Sequence, residues 1–383
     1  QENGILIPAA VIFSTFVMYF YNEIKENTKE DKVYTFYIFL LLAYILFGYN
    51  RYSEFGNDTI AHLFFFIINS FFLKKNFNTS ADANEFSKIL VLSLFCFMLK
   101  TSLVFVLLIP LYIFIFNFKK NYIFNYLNLL IIISIISWFT KNIIISGCFI
   151  YPIEITCYEE LEWFTNNSDY LISAKVQSLD NQAWTKGWSN YSGIEISQEF
   201  YVKKFYWFKT WLSIHGLLIL KKISVFIFIL FIINLCLKKI DKDDNLATIK
   251  LDNKISFLFF LSLLTTLVWF LRFPIFRYGS SYIAVLIIST TTIIAIKDQL
   301  VIRNAKKFAK YLKIFLVIFF VLFVFKHTLR IYKNYDSLLA KDFWPTFPKT
   351  EETIYISKSK KIDNVFSHHL LKSGNEGCGY TLS

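Results

Sequence analysis

The sequence predicts an all-α, polytopic helical membrane protein of about ten spans, and three observations predict it. Hydrophobic residues make up 55% of the 383 residues, aromatic residues 20%, and the mean hydropathy is +0.47. A soluble domain must cover its surface with polar atoms and is not so apolar. Runs such as ILIPAAVIFSTFVMYFY from Ile5 continue without two-residue alternation, so they read as helices rather than as barrel strands. The cations, 40 Lys and Arg against 28 Asp and Glu, cluster beside those runs, where they meet lipid headgroups and set topology. That placement makes the lipid bilayer the partner and excludes nucleic acid.

At about 15 to 20 apolar residues per span, the runs lie near 5–21, 33–49, 59–73, 89–99, 102–118, 122–139, 223–237, 255–271, 280–296 and 312–326. The stretch around Lys100 can be one long helix or a hairpin of two short ones, and topology decides between them. With a hairpin, the loops 22–32, 74–88, 119–121, 238–254 and 297–311 share one side and hold eighteen Lys and Arg, against four in the short loops opposite. The positive-inside rule then makes the first set cytoplasmic and places both chain ends outside.

Four parts follow: a first membrane helix group (1–139), an extracytoplasmic region (140–222), a second membrane helix group (223–326) and an extracytoplasmic tail (327–383). Region 140–222 mixes Trp163, Trp184, Trp188, Trp207 and Trp211 with polar residues, which suits a cap lying at the headgroup level. The tail carries ETIYISKSKK, a candidate short strand. No repeat at solenoid periods and no symmetry between the halves is visible. The chain enters its first apolar run without the basic n-region of a signal peptide and closes on GNEGCGYTLS, so the expectation is a fragment. Cys96 and Cys236 lie in spans. Cys148, Cys157 and Cys378 lie outside, with Cys148 and Cys157 the nearest pair in sequence. Their spacing matches no metal site, and no cofactor motif is present, although a divalent cation stays open.

Polar residues gather where spans meet the outer face, in RYSEFGNDTIAH (51–62), LKTS (99–102), SGCFIYP (146–152) and LRFPIFRYG (271–279). A charge at the membrane boundary costs several kcal/mol unless it pairs or lines a wet cavity, so Asp58, Lys100, Arg272 and Arg277 call for a shared polar environment. Arg272 and Arg277 bracket a proline in a short turn, and a guanidinium offers phosphate a bidentate fork; the plainer reading is snorkelling to the headgroups. Lys100 interrupts about thirty apolar residues near their middle and is harder to explain that way. Asp58 and Glu54 can serve as acid or base, or Asp58 as the cap of the third span. His62 reads as a packed helix residue, and His368 and His369 as surface residues.

GNDTIAHLFFFIINSFFL, FCFMLKTSLVFVLLIPL, KNIIISGCFIYPIE, AWTKGWSNYSG and LVWFLRFPIFRYGSSY, taken in that order, resemble an uncharacterised family of multi-pass bacterial membrane proteins over residues 50 to 285. That family is similar in architecture to the GT-C class of membrane glycosyltransferases, which share a short span pair containing a lysine and a late arginine-containing turn facing outward. The resemblance implies an inner-membrane enzyme that takes a polyprenyl-phosphate sugar at the outer face. Lys100, Arg272 and Arg277 would hold its phosphate, beside a hydrophobic groove for the lipid. It also implies a catalytic carboxylate, in a tyrosine–aspartate motif, in the loop after a first span. This sequence shows no such motif, so the base is unassigned and is expected before Gln1. A polysaccharide polymerase or ligase, and a transporter or flippase of a lipid-linked glycan, are the alternatives. The first would place paired Arg in the large outer loop, yet 142–220 holds none; the second would line mid-membrane with charge, which the spans other than the Lys100 pair lack.

Overall fold

The computed structural model describes residues 3–28, 30–48, 58–74, 82–116, 126–151, 153–158, 167–238, 252–298 and 305–333. All regular structure among the described residues is helical: α1 (Asn3–Asn27), α2 (Lys32–Gly48), α3 (Asp58–Lys74), α4 (Asp82–Leu99), a 3-10 stretch (Thr101–Leu107) running into α5 (Leu108–Phe116), α6 (Tyr126–Ser146), α7 (Asn167–Thr185), α8 (Gln198–Lys203), α9 (Trp207–Trp211), a π-helical turn (Leu212–Gly216) running into α10 (Leu217–Lys238), α11 (Asn253–Arg272), α12 (Phe276–Lys297) and α13 (Ala305–Lys333). Each of the ten apolar runs is helical over its described residues. Four helices are long and apolar enough to cross a membrane, Trp207–Lys238, Asn253–Arg272, Phe276–Lys297 and Lys307–Leu329, and shorter apolar helices occupy Lys32–Phe47, Thr101–Phe116 and Leu130–Ser146. The chain divides into two units, Gln1–Phe323 and Val324–Ser383. In the second, the described residues are the last turns of α13.

α2 is apolar all round, and its residues from Phe36 to Ile45 are buried on every side. α12 is the other central helix: 72% of its apolar window is buried, against 33% for α11 and 28% for α10. α11 leaves Phe260, Leu264, Leu267 and Leu271 exposed. Their spacing puts them on one helical face, and an uninterrupted apolar stripe of that kind has lipid as its natural solvent. Lipid tails are as apolar as leucine, so the central helices are held by close packing rather than by expulsion of water. α12 presents the small residues Gly279, Ser280, Ser281 and Ala284. Edge-to-face ring pairs at Tyr44–Phe226 (5.1 Å) and Phe65–Tyr282 (5.5 Å) join it and α2 to their neighbours, each worth about 1 kcal/mol.

At Lys100 the chain turns back on itself. Lys100 is extended (φ −151°, ψ 104°), and the 3-10 stretch and α5 return along α4, bringing Phe114 within 6.4 Å of Phe86. This is the hairpin that the charge asymmetry favours. The 3-10 stretch rises about 2 Å per residue, so it and α5 together reach about 27 Å, matching the eighteen residues of α4 at 1.5 Å each. Sixteen residues thus do the work of a longer α-helix.

Several boundaries differ from the sequence reading. α1 runs on to Asn27, α4 begins at Asp82 rather than 89, α6 continues to Ser146, the helix that includes α10 begins at Trp207 rather than near 223, and α13 spans Ala305–Lys333 rather than 312–326. The reason is common to them: a helix does not stop where apolarity stops, and Lys25, Lys88, Lys141, Lys221, Lys222 and Lys326 are carried on continuous helix. The candidate strand in ETIYISKSKK, together with His368, His369 and Cys378, lies outside the described residues.

Candidate functional site

The site is built on the turn between α11 and α12. α11 ends at Arg272 because Pro274 removes a backbone donor and drives the residue before it out of helical geometry; Phe273 has φ −140° and ψ 67°. The turn is then pinned through its carbonyls. The Ile275 amide donates to the Phe273 carbonyl at 2.7 Å, the Trp269 indole to the Ile275 carbonyl at 2.8 Å, and the Trp211 indole to the Pro274 carbonyl. Gly279 lets α12 pass the Trp269 ring, since a Cβ there would fall on the indole. Two tryptophans, one of them from segment 140–222, therefore hold rigid a segment that sequence alone would leave as a loose connection.

Against this turn the structure brings together Asp58 from the start of α3, Lys100 from the hairpin and Arg277 from the first turn of α12. The Lys100 ammonium donates to Asp58 Oδ1 at 2.6 Å and to the Arg277 carbonyl at 3.0 Å, and lies 4.8 Å from the centre of the Tyr278 ring. The Arg277 Nε donates to the second Asp58 oxygen. His62, one turn along α3 from Asp58, bridges the Arg277 carbonyl (2.9 Å) and the Ser281 hydroxyl (2.8 Å). A carbonyl only accepts, so Nε2 carries the proton, and in the neutral ring Nδ1 accepts from Ser281. The Tyr282 hydroxyl donates to the Ser102 carbonyl at 2.9 Å and ties the hairpin to α12.

Among the described residues one carboxylate, Asp58, faces the two cations Lys100 and Arg277, and these three ionised groups sum to a net positive charge. The Lys100 side chain is 7% exposed, Asp58 24% and Arg277 51%. The ammonium is thus the inner anchor and the guanidinium the outer, accessible group. Asp58 supplies the compensation that an ion at a membrane boundary requires. The arrangement is suited to receive an anion at its open edge, with guanidinium and ammonium already fixed by the chain.

Three of the predicted residues, Asp58, Lys100 and Arg277, meet here. Asp58 opens α3, as a cap would, but both of its oxygens accept from cations that the sequence places far away. His62 is packed and hydrogen-bonded, as expected. Arg272 ends α11 at the other side of the turn and forms no ion pair with a described carboxylate. Glu54 lies outside the described residues. Among the described residues there is no group of three His, Cys, Asp or Glu placed to hold a metal ion.

Sequence reasoning missed Tyr278 and Ser281, whose only signal was their place directly after Arg277. It also missed Lys186. This lysine follows α7 and is 3% exposed; its ammonium donates to the Val202 carbonyl at 3.2 Å and lies 5.0 Å from the Trp207 ring centre, while its own carbonyl accepts from the Tyr201 hydroxyl at 2.9 Å. Burial, reinforced by the charge of Arg272, pushes the ammonium down to about 8. Cys148 and Cys157 form a disulfide directly after α6.

A family model described as Domain of unknown function (DUF8201) matches residues 3–284, a range that includes the whole cluster as well as Lys186 and Arg272. No curated protein and no solved structure matches the chain.

Proposed function

The chain belongs to the DUF8201 family, and we propose that it is a bacterial inner-membrane glycosyltransferase of GT-C type, acting on a polyprenyl-phosphate-linked sugar at the outer face in cell-surface glycan assembly. The observation that carries this reading is Asp58 held between Lys100 and Arg277 at the rim of the bundle. The KNIIISGCFIYP and WFLRFPIFRYG stretches resemble an uncharacterised family of multi-pass bacterial membrane proteins, and the architectural similarity of that family to the GT-C class supports the reading. In this reading all ten apolar helices cross the membrane, the basic loops face the cytoplasm, and the C-terminus is outside. The Cys148–Cys157 disulfide agrees with an oxidising compartment on the side of the cluster.

The donor phosphate enters at Arg277 and reaches Lys100, taking over the contacts that Asp58 makes with them. Released from two counter-ions, the Asp58 carboxylate becomes the more basic group beside the reaction centre. The acceptor hydroxyl attacks the anomeric carbon and gives its proton to a carboxylate. The bond to the lipid phosphate breaks, with its electron pair leaving on phosphate oxygen that Lys100 and Arg277 stabilise. Asp58 is the described carboxylate placed for that proton.

The test is transfer of radiolabelled sugar from a panel of polyprenyl-phosphate donors in membranes carrying the full-length protein. Arg277→Ala is expected to lower transfer about 100-fold or more, the scale of losing a charge-stabilising donor, at unchanged expression. Absence of transfer by the wild type across the panel, or full activity in the variant, overturns the proposal.

A further inference from the structure

The side chains of α8, α9 and the turn between them divide into two sets that face opposite ways. Tyr201, Val202, Trp207 and Trp211 are turned inward and buried. Trp207 and Trp211 pack on Phe270 of α11 at 5.5 and 5.2 Å, and the Trp211 indole donates to the Pro274 carbonyl. Phe205, Tyr206 and Phe208 stand between these anchors and are 63%, 49% and 43% exposed. The turn that carries them is fixed by its own backbone. Lys204 is extended (φ −99°, ψ 149°), the Tyr206 amide donates to the Lys204 carbonyl at 2.8 Å, and the Phe208 amide donates to that of Phe205 at 3.1 Å. Trp207 and Trp211, which composition alone would place at the headgroup level, thus serve the core, and the outward rings are phenylalanine and tyrosine.

Lysines are interleaved with those rings. Lys203, Lys204 and Lys209 are exposed, and the one acid in the stretch 198–211, Glu199, pairs with Lys203 at 2.6 Å. Among the described residues neither Lys204 nor Lys209 forms an ion pair, so the stretch keeps two positive charges. The patch also borders the apolar stripe of α11: Phe208 lies 6.4 Å from Phe270, beside the exposed Leu267 and Leu271. Exposed rings next to the end of a lipid-facing helix sit at the depth of the headgroups, where aromatic side chains are favoured and ammonium groups meet lipid phosphate. Protein–protein interfaces are depleted in lysine, so rings mixed with lysine fit a lipid surface better than a second chain.

We propose that Phe205, Tyr206 and Phe208, with Lys203, Lys204 and Lys209 among them, form a docking surface for anionic phospholipid in the leaflet that α11 leaves at Arg272. The rings enter the headgroup layer, and the ammonium groups gather phosphate there. Through Trp207 and Trp211, which pack on α11 and hold its turn, this contact sets the depth of the α11–α12 turn in the membrane. The inference takes α11 as a membrane-crossing helix and makes no use of sugar transfer, so the docking surface and the proposed reaction fail separately.

The test places the photoreactive residue p-benzoylphenylalanine at Phe205 or, in a second variant, at Phe208 of the full-length protein. Each variant is reconstituted in phosphatidylcholine liposomes containing a minor share of phosphatidylglycerol and irradiated, and the cross-linked species are identified by mass spectrometry. Both positions are expected to capture phospholipid, with phosphatidylglycerol enriched about threefold over its share of the mixture. Replacing the lysines together (Lys203→Gln, Lys204→Gln, Lys209→Gln) is expected to abolish the enrichment while phosphatidylcholine is still captured and the melting temperature is unchanged, since all three are exposed. Should that variant not fold, Lys209→Gln alone is expected to reduce the enrichment. Capture of phosphatidylglycerol only in proportion to its share, or an enrichment that survives the lysine substitutions, overturns the assignment to anionic lipid. Cross-links to a second copy of the chain in place of lipid, or no lipid captured at either position, overturn the docking surface itself.

Discussion

The two ends of α3 hold ion pairs of opposite character. At the Lys74 end, the ammonium donates to both oxygens of Glu23, at 2.8 and 2.9 Å, and Asn27 and Tyr34 donate to the same carboxylate at 3.1 and 2.7 Å. The Tyr34 hydroxyl also meets Ser70 at 2.8 Å, and Ser70 meets Tyr19 at 3.0 Å. Because a carboxylate only accepts, the protons run one way, from Tyr19 to Ser70 to Tyr34 to Glu23. One negative and one positive charge cancel inside a closed network that clamps α1, α2 and α3. At the Asp58 end one carboxylate serves two cations, and one of those cations is half exposed. A balanced, enclosed pair fixes helices to each other; an unbalanced, open one keeps capacity for a further anion. The same helix, buried along the same face, thus carries a strut at one end and the candidate site at the other.

Removing each carboxylate breaks this contrast most directly. Asp58→Ala is expected to lower stability by about 3 kcal/mol, since Lys100 is left buried without its partner, read as a shift of the unfolding midpoint in detergent; a shift below that of Glu23→Gln would invert the comparison. Glu23→Gln is expected to cost about 1 kcal/mol, because Lys74 is 30% exposed and can turn toward water. The two carboxylates sit on networks about 24 Å apart along α3, so the double variant is expected to be additive to within about 0.5 kcal/mol. Marked non-additivity would show that the strut and the site communicate.

The smallest effect concerns Lys186, which belongs to neither end. Its folded-state value of about 8 lies below the ordinary 10.5, so between those values the unfolded chain holds a proton that the folded protein has released. Stability contributed through this group therefore rises as pH climbs from about 8 toward 10.5. The wild-type melting temperature is expected to gain on that of Lys186→Met over this interval, and parallel profiles would refute the assignment.

Much of the site was legible because intramembrane charge is conspicuous. Lys100 stands out in thirty apolar residues, and Arg277 and Asp58 stand at the edges of apolar runs, so each announces itself without knowledge of its neighbours. Their partnership is not legible in this way. Asp58 also satisfies the pattern of a helix cap, and nothing local tells a cap from a counter-ion to residues 42 and 219 positions away. Arg272 resembles Arg277 in type and setting, yet it forms no ion pair with a described carboxylate. Lys186 itself hides among the tryptophans and polar residues of segment 140–222, where a lysine is unremarkable until Trp207 and Val202 enclose it.

The all-helical architecture, the membrane as solvent and the weak point at Lys100 were determined by the sequence alone. Each follows from local rules: apolar runs seek lipid, backbone groups in lipid must bond within their own segment, and a lysine at mid-run must leave the helix or pair. Which cations share a carboxylate, which are left to a ring face and a carbonyl, and which end of α3 closes was decided only by tertiary structure. Those outcomes depend on α12 packing against both α2 and α3 and on two indoles fixing a turn, contacts between residues far apart in the chain that no local pattern encodes.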